Sequence, residues 1–441
     1  MYGKWNIGHC NSKYLPSERG FDHFIGYVGP GHGYSNHLSG KSEGAFDLIE
    51  SVSFSNAAGD LVSSEWHSGV AYQGIYDTLL YRDQAVSLLF KHAAAYPDNQ
   101  VPLFMWSAQH GMHGEDDEGP EPPDELLSSD NKLYIDELKA AADAGTFWEK
   151  RLLTASVLMS IDNSLKRVVD VMESTGMLSN AVIFVNSDNG AQADSTNGHP
   201  GNNFPMRSMK FSYFDGGIRV PAFVYAPGRF SSSRVGGSYH GLMHHVDLLA
   251  TFVELGSGTT PDPADGLDSV SHWLAIAGDG ASPRDELVLN LPRSPKWTIG
   301  SDATSEGVAL VVGKYKLLIN HAKDGWWAPE NGHQGKMAFN VNRCQYSWYT
   351  TGSDAACEYS NFLFDLDTDP HETTNLWGLE KFAAIQASLV SRAEELAAAQ
   401  GSYGSLLYEM YMNNHRVSTN YKRAWMANNW YVSPWGCDVV P

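Results

Sequence analysis

An amphipathic segment between two short apolar runs is the feature that most constrains the fold of this chain. Its apolar residues recur at spacings of four and three, at Leu153, Val157, Ile161, Leu165, Val168 and Met172. This pattern predicts a helix with one apolar face, which Gly176 is expected to end. The flanking runs, 101–108 and 181–187, end in polar residues, which indicates buried parallel strands.

The alternation of apolar runs and helical patterns continues along the chain. A third apolar run covers 218–226, and the segment before Gly256 has the pattern of a further helix. Strands and helices in this order predict an α/β protein. The last part of the sequence changes to short β-like segments, followed by a predicted helix over 381–399. We therefore predict an α/β domain over residues 1–292 and a smaller α+β domain over residues 293–441.

The charge of the chain limits its partners. The formal net charge of −21 argues against a nucleic-acid binder, because such proteins derive much of their affinity from Lys and Arg contacts to phosphate. An anionic substrate would need a local cluster of cationic side chains, since charges beyond a Debye length of about 8 Å are mostly screened. No run of about 18 apolar residues is present, so we expect no membrane span. The N-terminus also lacks the basic and apolar regions of a signal peptide.

The cysteines carry little information. They are Cys10, Cys344, Cys357 and Cys437, and none forms a C-x-x-C pair. They therefore do not predict a structural zinc site. Cys344 and Cys357 are close enough in sequence to form a disulfide in an oxidising compartment, and two free thiols are an equal alternative.

Polar side chains follow two of the apolar runs, at positions where α/β sheets gather catalytic groups. Asp188 and Asn189 offer hard oxygen ligands for Ca²⁺ or Mg²⁺, although Asp-Asn-Gly is also good turn chemistry. His110 and His113 are either site residues or ordinary polar residues at a strand end. Lys210 fits both a binding role and a solvated loop. The residues alone leave these alternatives open.

Several ordered phrases give the chain a specific family resemblance. They are GKW-x-x-G, LPSERGFDHFIGY, SDNG, N-x-P-M-R-x-x-K, DGGIRVPAFVYAPG and LFDLDTDPHETTNL. In this order they resemble the type I sulfatases, and most closely the arylsulfatase B-like group. The similarity runs from Gly3 to beyond Asn375. It implies an α/β, alkaline-phosphatase-like core, with a mixed, mostly parallel sheet between helices whose N-terminal strands are missing, and the smaller C-terminal α+β domain.

The resemblance assigns roles to five residues. Asp188 and Asn189 match the calcium-ligand pair of the family. His110 matches a histidine that contacts the sulfate and assists the leaving alcohol, and Lys210 matches a lysine that bridges the sulfate and the leaving oxygen. Lys4 matches a lysine that holds the nucleophile and the sulfate. We therefore expect all five side chains to converge on one pocket that binds Ca²⁺ and a sulfated small molecule or glycan.

Two parts of the family pattern are absent from these 441 residues. The family carries a formylglycine nucleophile, made from Cys or Ser in a C/S-x-P-x-R signature, and an Asp-Asp metal pair, both upstream of the GKW phrase. Neither LPSERG nor the surroundings of Cys10 form that signature. We therefore expect a missing upstream segment of two or three β-α units, an incomplete metal site and negligible turnover by this chain alone. In addition, Asn6 stands where the family has a histidine, and asparagine cannot carry a proton through a catalytic cycle.

Three functional hypotheses follow from the resemblance. The first is a sulfatase that hydrolyses aryl or sugar sulfates when its upstream segment is present. The second is a noncatalytic relative that binds sulfated glycans or a partner. The third is a phosphodiesterase of the same superfamily, which would need extra metal ligands such as His244 and His245, although we expect these to be structural residues at the start of a helix. A secreted or lysosome-like location is suggested by the resemblance alone.

Overall fold

The computed structural model describes most of the chain up to residue 400. The described residues are 1–9, 11–39, 44–55, 61–113, 122–145, 149–193, 201–262, 265–278, 280–292, 297–300, 307–322, 325, 327–330, 333–337 and 359–400. They form two compact units, the first ending at Ser179 and the second beginning at Asn180. All four cysteines lie outside the described residues. The choice between a Cys344–Cys357 disulfide and two free thiols therefore stays a prediction.

Within the described residues, the first unit combines a five-stranded sheet with a strand pair and α-helices. Its strands are β1 (Tyr2–Gly3), β2 (His23–Gly26), β3 (Leu38–Ser39), β4 (Ala45–Phe46), β5 (Ile49–Ser55), β6 (Leu61–Ser68) and β7 (Ser107–Ala108). Its helices are α1 (Asp77–Ala95), α2 (Ser129–Asp143) and α3 (Glu149–Ser174). The larger sheet has the order β6-β5-β2-β1-β7. It is mixed, because β1 pairs in parallel with both neighbours whereas β2-β5 and β5-β6 are antiparallel.

Gly3 allows the parallel strands of this sheet to approach closely. It lies opposite Ala108 on β7, and its φ is +91°. A Cβ atom at this position would lie 1.9 Å from the carbonyl oxygen of Ala108. Only glycine fits this contact and this φ without strain. Lys4 is thereby fixed at the carboxyl end of β1, where its N–H donates to the Ala108 carbonyl at 2.9 Å.

The predicted amphipathic helix is confirmed as α3. Val157 on its apolar face is buried, and Gly176 follows its last turn with a φ of +74°, a conformation that commonly ends a helix. The helix also contributes Val168 to a cluster with Tyr2 of β1 and Leu80 of α1. The two helices therefore pack together on the strand that carries Lys4.

The predicted strand over 101–108 is wrong for most of its length. Only Ser107–Ala108 pairs as a strand, and the Phe104 and Trp106 side chains are exposed by 55% and 38%. Phe104 stacks on Phe21, with the ring centroids 6.2 Å apart. An apolar sequence shows which side chains favour burial, but burial also requires a partner surface, which composition does not specify.

The second unit consists of antiparallel strand pairs, a four-stranded antiparallel sheet and helices. Its strands are β8 (Ile183–Asn186), β9 (Ala222–Tyr225), β10 (Glu286–Asn290), β11 (Val308–Val312), β12 (Tyr315–Ala322), β13 (Trp327–Glu330), β14 (His333–Met337) and β15 (Tyr359–Asp365). Its helices are α4 (Asp215–Ile218), α5 (Asp247–Ser257), α6 (Trp273–Ala277) and α7 (Ala383–Gln400). Across the part of the chain that the structure describes, no helix combines the length and the apolar character needed to cross a membrane.

The predicted strands at 181–187 and 218–226 are shorter than expected and differ in pairing. β8 is half-buried and pairs with β9 in the antiparallel direction, so the expectation of a buried parallel strand is wrong here. The run begins in the last residue of the short helix α4, and the extended residues 219–221 connect α4 to β9. Strand direction depends on which segment becomes the partner, and an apolar run does not contain that information. The helix predicted before Gly256 is confirmed as α5, but its predicted end at Gly256 is wrong, because the helix continues to Ser257 and Gly258, with a φ of +75°, follows its last turn.

The four-stranded sheet forms a core with α7. Its strand order is β10-β11-β12-β15, and every pairing is antiparallel. Leu310, Leu317 and Leu363 are fully buried in it, and α7 packs on them through Leu389 and Ala393. The helix predicted over 381–399 is thus confirmed. The sheet starts with β10, before the predicted domain boundary at 292, and that boundary stays a prediction.

Asp247, the first residue of α5, is a buried carboxylate with several hydrogen-bond donors. Its oxygens accept from the Arg284 guanidinium at 2.5 and 2.9 Å. The backbone N–H groups of His244 and Val270 donate to it at 2.8 and 3.1 Å. Burial alone would raise the pKa of Asp247, but hydrogen bonds from His272 and Arg284 outweigh burial and hold the pKa well below its ordinary value.

The depressed pKa of Asp247 is expected to make the fold less stable in acid. Such a carboxylate stabilises the fold above its unfolded pKa of about 3.9, and the stabilisation is lost as the pH falls through the folded pKa. We expect Asp247→Asn to lower the free energy of unfolding by about 2 kcal/mol at neutral pH and by less below about pH 4. Chemical denaturation across this pH range measures the difference. Asp265→Asn, at an exposed position, is the control, and a difference for Asp247→Asn that does not change with pH would contradict the assignment.

Candidate active site

Lys4 and His110 lie at the carboxyl ends of neighbouring parallel strands. Lys4 directly follows β1, and His110 lies two residues after β7. Gly3 and Ala108 pair across these strands, so the two segments leave the sheet side by side. Lys4 is half-buried and His110 is buried. The structure therefore brings these two predicted site residues to the edge at which α/β sheets place catalytic groups.

His110 belongs to a buried group of ionisable side chains, which we call the Asp77 cluster (His32, His37, Asp77 and His110). His110 Nδ1 lies 2.8 Å from Asp77 Oδ2. His32 faces the same carboxylate through Nε2 at 2.9 Å, and His37 faces it through Nδ1 at 3.2 Å. All four side chains lack exposed surface. Burial alone would raise the pKa of Asp77, but the adjacent histidines outweigh burial and hold the pKa well below its usual range.

Tyrosine rings pack against the Asp77 cluster. Tyr34 stacks on His110 and Tyr27 stacks on His32, with the ring centroids 4.1 Å apart in both pairs. The Tyr34 hydroxyl also donates to the carbonyl of His113 at 2.9 Å. These contacts, together with the Nδ1 contact to Asp77, fix the ring of His110. The predicted role of His110 toward a sulfate therefore belongs to its Nε2 atom.

Asp188 and Asn189 follow β8 in a turn. Asp188 Oδ1 accepts a hydrogen bond from the Asn189 N–H at 2.8 Å, and the Asn189 side-chain amide donates to the Gly190 carbonyl at 2.9 Å. Gly190 packs tightly on the DGG phrase, because a Cβ atom there would lie 1.8 Å from the Gly216 carbonyl oxygen. The turn chemistry expected from the sequence is thus present. It presents the Asp188 carboxylate and the Asn189 amide oxygen on one short segment.

Lys210 lies in a loop that packs beside this turn. Its N–H donates to the carbonyl of Ala191 at 3.1 Å, two residues beyond Asn189. The Asn203 side chain joins the two segments, since it accepts from the Ala191 N–H and donates to the Ala191 carbonyl, both at 2.8 Å. The structure therefore places the backbone of Lys210 next to the Asp188-Asn189 turn.

The backbone around Lys210 is strained. Ser208 and Phe211 have φ values of +68° and +79°, in the left-handed region that residues other than glycine seldom adopt. Conformations of this kind cost about 1–3 kcal/mol each and are concentrated at functional sites. Contacts to other segments must offset this cost, and the Ser208 N–H donates to the Gly325 carbonyl at 2.9 Å.

Two of the family phrases meet at a buried ion-pair network around Lys316. This residue of β12 has no exposed side-chain surface, and its Nζ lies 2.6 Å from both Asp215 Oδ1 and Glu372 Oε1. Asp215 begins the DGGIR phrase, and Glu372 ends the DPHE phrase. Glu372 Oε2 accepts the Asp215 N–H at 2.7 Å. Burial raises the pKa of Glu372 to about 7, against the opposing effect of the Lys316 charge. These phrases therefore stabilise the fold.

The predicted site residues fall into two groups in the structure. Lys4 and His110 adjoin in the first unit, and Asp188, Asn189 and Lys210 adjoin in the second unit. The roles that the family resemblance implies for these five residues stay predictions. The convergence of all five residues on one pocket stays a prediction.

Sequence reasoning missed Asp77, His32 and His37. A signal was present in the phrase GPGHGYSNH, which contains both histidines five positions apart. Asp77 follows His32 by 45 positions and lies in no family phrase. Only the fold brings its carboxylate to the histidines.

Asn6 has a local backbone reason for its identity. It is exposed and has a φ of +44°, in the left-handed region. Asparagine, aspartate and histidine adopt this region more readily than other residues with a Cβ atom. A histidine at this position is therefore compatible with the same backbone.

Comparison with known proteins establishes the family. The sequence profile of the sulfatase family matches residues 1–259, which is more than half of the chain. The chain belongs to the sulfatase family. This sulfatase-family chain is 27% identical to arylsulfatase J of Mus musculus over 405 residues, which cover 90% of the chain and 59% of that relative. It is 34% identical to N-acetylgalactosamine-6-sulfatase of Sus scrofa over 288 residues, which cover 62% of the chain and 46% of that relative.

The sulfatase-family chain thus spans less than two thirds of the length of these relatives. Solved structures share its fold. Ps i-CgsB has a TM-score of 0.60 at 19% identity, over 91% of this chain and 71% of that protein. The PsFucS1 sulfatase from Pseudoalteromonas sp. has a TM-score of 0.54 at 20% identity, over 91% of this chain and 70% of that protein. The predicted α/β sulfatase fold class, with its smaller C-terminal part, is therefore confirmed.

Proposed function

We propose that the protein hydrolyses sulfate esters of aryl compounds or sugars. The observation that carries this proposal is the placement of Lys4 and His110 side by side at the carboxyl edge of β1 and β7, in a chain of the sulfatase family. The names of the arylsulfatase and N-acetylgalactosamine-6-sulfatase relatives support an aryl or a sugar sulfate as substrate. A structure of Ps i-CgsB in complex with k-i-k-neocarrahexaose, at a TM-score of 0.59, supports a glycan.

The chemistry of sulfate transfer suits these residues. Negative charge develops on three sulfate oxygens while the ester oxygen leaves, much as in phosphoryl transfer. Lys4 and Lys210 supply fixed positive charges for those oxygens, and Lys210 also bridges to the leaving oxygen. His110, whose ring is held at Nδ1 by Asp77, assists the leaving oxygen through Nε2.

The Asp188-Asn189 turn fits part of a calcium site. Carboxylate and amide oxygens are ligands that Ca²⁺ prefers, and the Asp188 side chain is exposed. The two residues alone supply fewer than the roughly six to eight oxygens that Ca²⁺ takes. We assign Asp188 and Asn189 as two of its ligands. A bound Ca²⁺ would offset negative charge on the sulfate.

A noncatalytic role in binding sulfated glycans is the second candidate function. It is favoured by one observation, which is that the 441 residues contain no C/S-x-P-x-R signature. The formylglycine nucleophile implied by the family resemblance is therefore not encoded within them. Cationic side chains and a histidine bind a sulfate ester but do not replace the nucleophile that forms a covalent intermediate.

The contacts of His244 and His245 do not support the phosphodiesterase hypothesis. His245 Nε2 lies 3.1 Å from the carbonyl oxygen of Ser187. The His244 N–H donates to Asp247, whose carboxylate also binds Arg284. These contacts hold the start of α5, so we assign both histidines a structural role.

Hydrolysis of p-nitrocatechol sulfate, by the 441-residue chain and by any longer form that its gene encodes, tests the proposal. We expect negligible turnover by the 441-residue chain and clear turnover by a form that carries the nucleophile signature. In that form, Asn6→His is expected to raise kcat, because histidine can carry a proton and fits the same backbone.

Two results would contradict this proposal. Turnover by the 441-residue chain alone would show that a nucleophile within it has been missed. A longer form with the signature but without turnover of any aryl or sugar sulfate would exclude the hydrolase, and calorimetric titration with a sulfated oligosaccharide would then test the binding role.

A further inference from the structure

We propose that Asn203 is a positioning residue, whose side-chain amide holds the backbone of Lys210 against the Asp188-Asn189 turn. Asn203 lies in the same family phrase as Lys210, seven positions before it. The turn and the loop that carries Lys210 both belong to the second unit. Asn203 acts through Lys210, so this assignment rests on the role toward a sulfate that is proposed above.

The Asn203 amide pairs with Ala191 as a residue of a neighbouring strand would. Its Oδ1 atom accepts the Ala191 N–H and its Nδ2 atom donates to the Ala191 carbonyl, both at 2.8 Å. The Nδ2 atom also donates to the Ser208 carbonyl at 3.2 Å. A carboxamide has one acceptor oxygen and two N–H donors, so these three bonds use the oxygen and both donors. Neither a carboxylate nor an apolar side chain of the same length can make this set of bonds.

The carbonyl oxygen that Asn203 holds is also the one that binds the Lys210 backbone. The Lys210 N–H donates to the Ala191 carbonyl at 3.1 Å, so this oxygen receives N–H groups from both Lys210 and Asn203. Ala191 lies two residues beyond Asn189 in the chain. A rotation of the Ala191 carbonyl would therefore separate the Lys210 backbone from the Asp188-Asn189 turn, and the two bonds from Asn203 oppose that rotation.

The strained backbone on either side of Lys210 makes such a restraint necessary. Ser208 and Phe211 have positive φ values of +68° and +79°, which residues with a Cβ atom adopt only when surrounding contacts enforce them. The bond from Asn203 to the Ser208 carbonyl is one of these contacts. Without it, we expect the loop to relax toward backbone conformations in which the Lys210 N–H no longer reaches the Ala191 carbonyl.

The other side of the loop is anchored by contacts that do not involve Asn203. The Arg207 carbonyl accepts the Gly216 N–H at 2.7 Å. The Arg207 side chain is buried, and its guanidinium lies 4.0 Å from the centre of the Phe214 ring, which is a favourable cation–π distance. Loss of the Asn203 bonds should therefore displace Lys210 while the rest of the loop keeps its place.

Asn203→Asp tests the contact with the smallest change of shape. The carboxylate has no N–H to donate, and its negative oxygen would face the carbonyl oxygens that now accept from Nδ2. In the 441-residue chain, we expect the Lys210 amide to be protected from hydrogen exchange, and to exchange at least about tenfold faster in Asn203→Asp. Asn202→Asp is the matched control. Asn202 is exposed, and its side-chain oxygen accepts the Phe204 N–H at 2.8 Å, a bond that aspartate retains.

Kinetics of the same variants distinguish positioning of Lys210 from a general effect on the fold. In a catalytically active form, Asn203→Asp is expected to lower kcat by about 10–100-fold and to raise KM by much less, because Lys210 would be misplaced in the transition state. In a Lys210→Ala background, the same substitution should change kcat/KM by no more than about twofold, since the side chain through which Asn203 acts is already absent. Calorimetric titration with a sulfated oligosaccharide gives the same comparison for a form that binds without hydrolysis.

Rapid exchange of the Lys210 amide in the unchanged chain would overturn the assignment, and this result does not require Asn203→Asp to fold. A loss of full size from Asn203→Asp in the Lys210→Ala background would also overturn it, and so would an equal loss from Asn202→Asp. If no form of the protein hydrolyses or binds a sulfate ester, the proposed function fails and the role of Asn203 in it fails too. A protected Lys210 amide would then show that the contact itself exists, which separates this outcome from a loss of the contact.

Discussion

Lys316→Met is expected to lower the free energy of unfolding by about 3–5 kcal/mol. The substitution leaves the buried carboxylates of Asp215 and Glu372 without the cation that lies 2.6 Å from each. The remaining negative charges are costly in a buried site, because Asp215 keeps only the Arg219 guanidinium at 3.4 Å and burial already raises the pKa of Glu372 to about 7 with Lys316 present. Chemical denaturation followed by tryptophan fluorescence measures the loss.

Lys314→Met is the matched control for Lys316→Met. Lys314 lies just before β12 and pairs with Asp365 at 2.7 Å, but its side chain is exposed to solvent. Exposed ion pairs contribute little to stability, so the free energy of unfolding of this variant should be close to that of the unchanged chain. The double variant Lys316→Met, Glu372→Gln should recover part of the loss, because one buried charge is removed. Similar stabilities for Lys316→Met and Lys314→Met would contradict the proposed network.

Lys4→Ala and Lys210→Ala are each expected to lower kcat/KM for an aryl sulfate by about 10²–10³-fold in a catalytically active form. Each lysine is proposed to face sulfate oxygens whose charge increases in the transition state, so its loss should reduce kcat more than it raises KM. Lys166→Ala is the control, because Lys166 is exposed and pairs with Asp170 one helical turn away. A fall in kcat/KM of equal size for Lys166→Ala would point to a general effect on the fold.

The double variant of Lys4 and Lys210 tests whether the two groups of site residues serve one sulfate. Residues that act on the same group show coupling energies of about 0.5–3 kcal/mol, whereas distant sites are additive within about 0.3–0.5 kcal/mol. We expect clear coupling in kcat/KM. Additive effects would show that the two lysines act at separate places, and the predicted single pocket would then be wrong.

Two of the predicted elements show where a sequence pattern is enough to predict secondary structure and where it is not. The helix spacing from Leu153 to Met172 predicted α3, and Gly176 ends it as expected, because a helical pattern is local and reports the buried face directly. The run at 101–108 had a similarly apolar composition, yet only Ser107–Ala108 is a strand. Strand formation depends on a partner segment, and that partner is distant in sequence.

The candidate site shows the same contrast between residues that a local pattern identifies and contacts that only the fold creates. The ordered phrases identified the sulfatase family and named Lys4, His110, Asp188, Asn189 and Lys210, because those residues lie within or beside short recognisable motifs. The sequence by itself therefore determined the family, the three helices α3, α5 and α7, and the candidate residues. The tertiary structure alone showed that Asp77 meets three histidines and that Lys316 meets two carboxylates. Such contacts join residues far apart in the chain, and a buried charge has no local sequence pattern because its partners are set by the folding of distant segments.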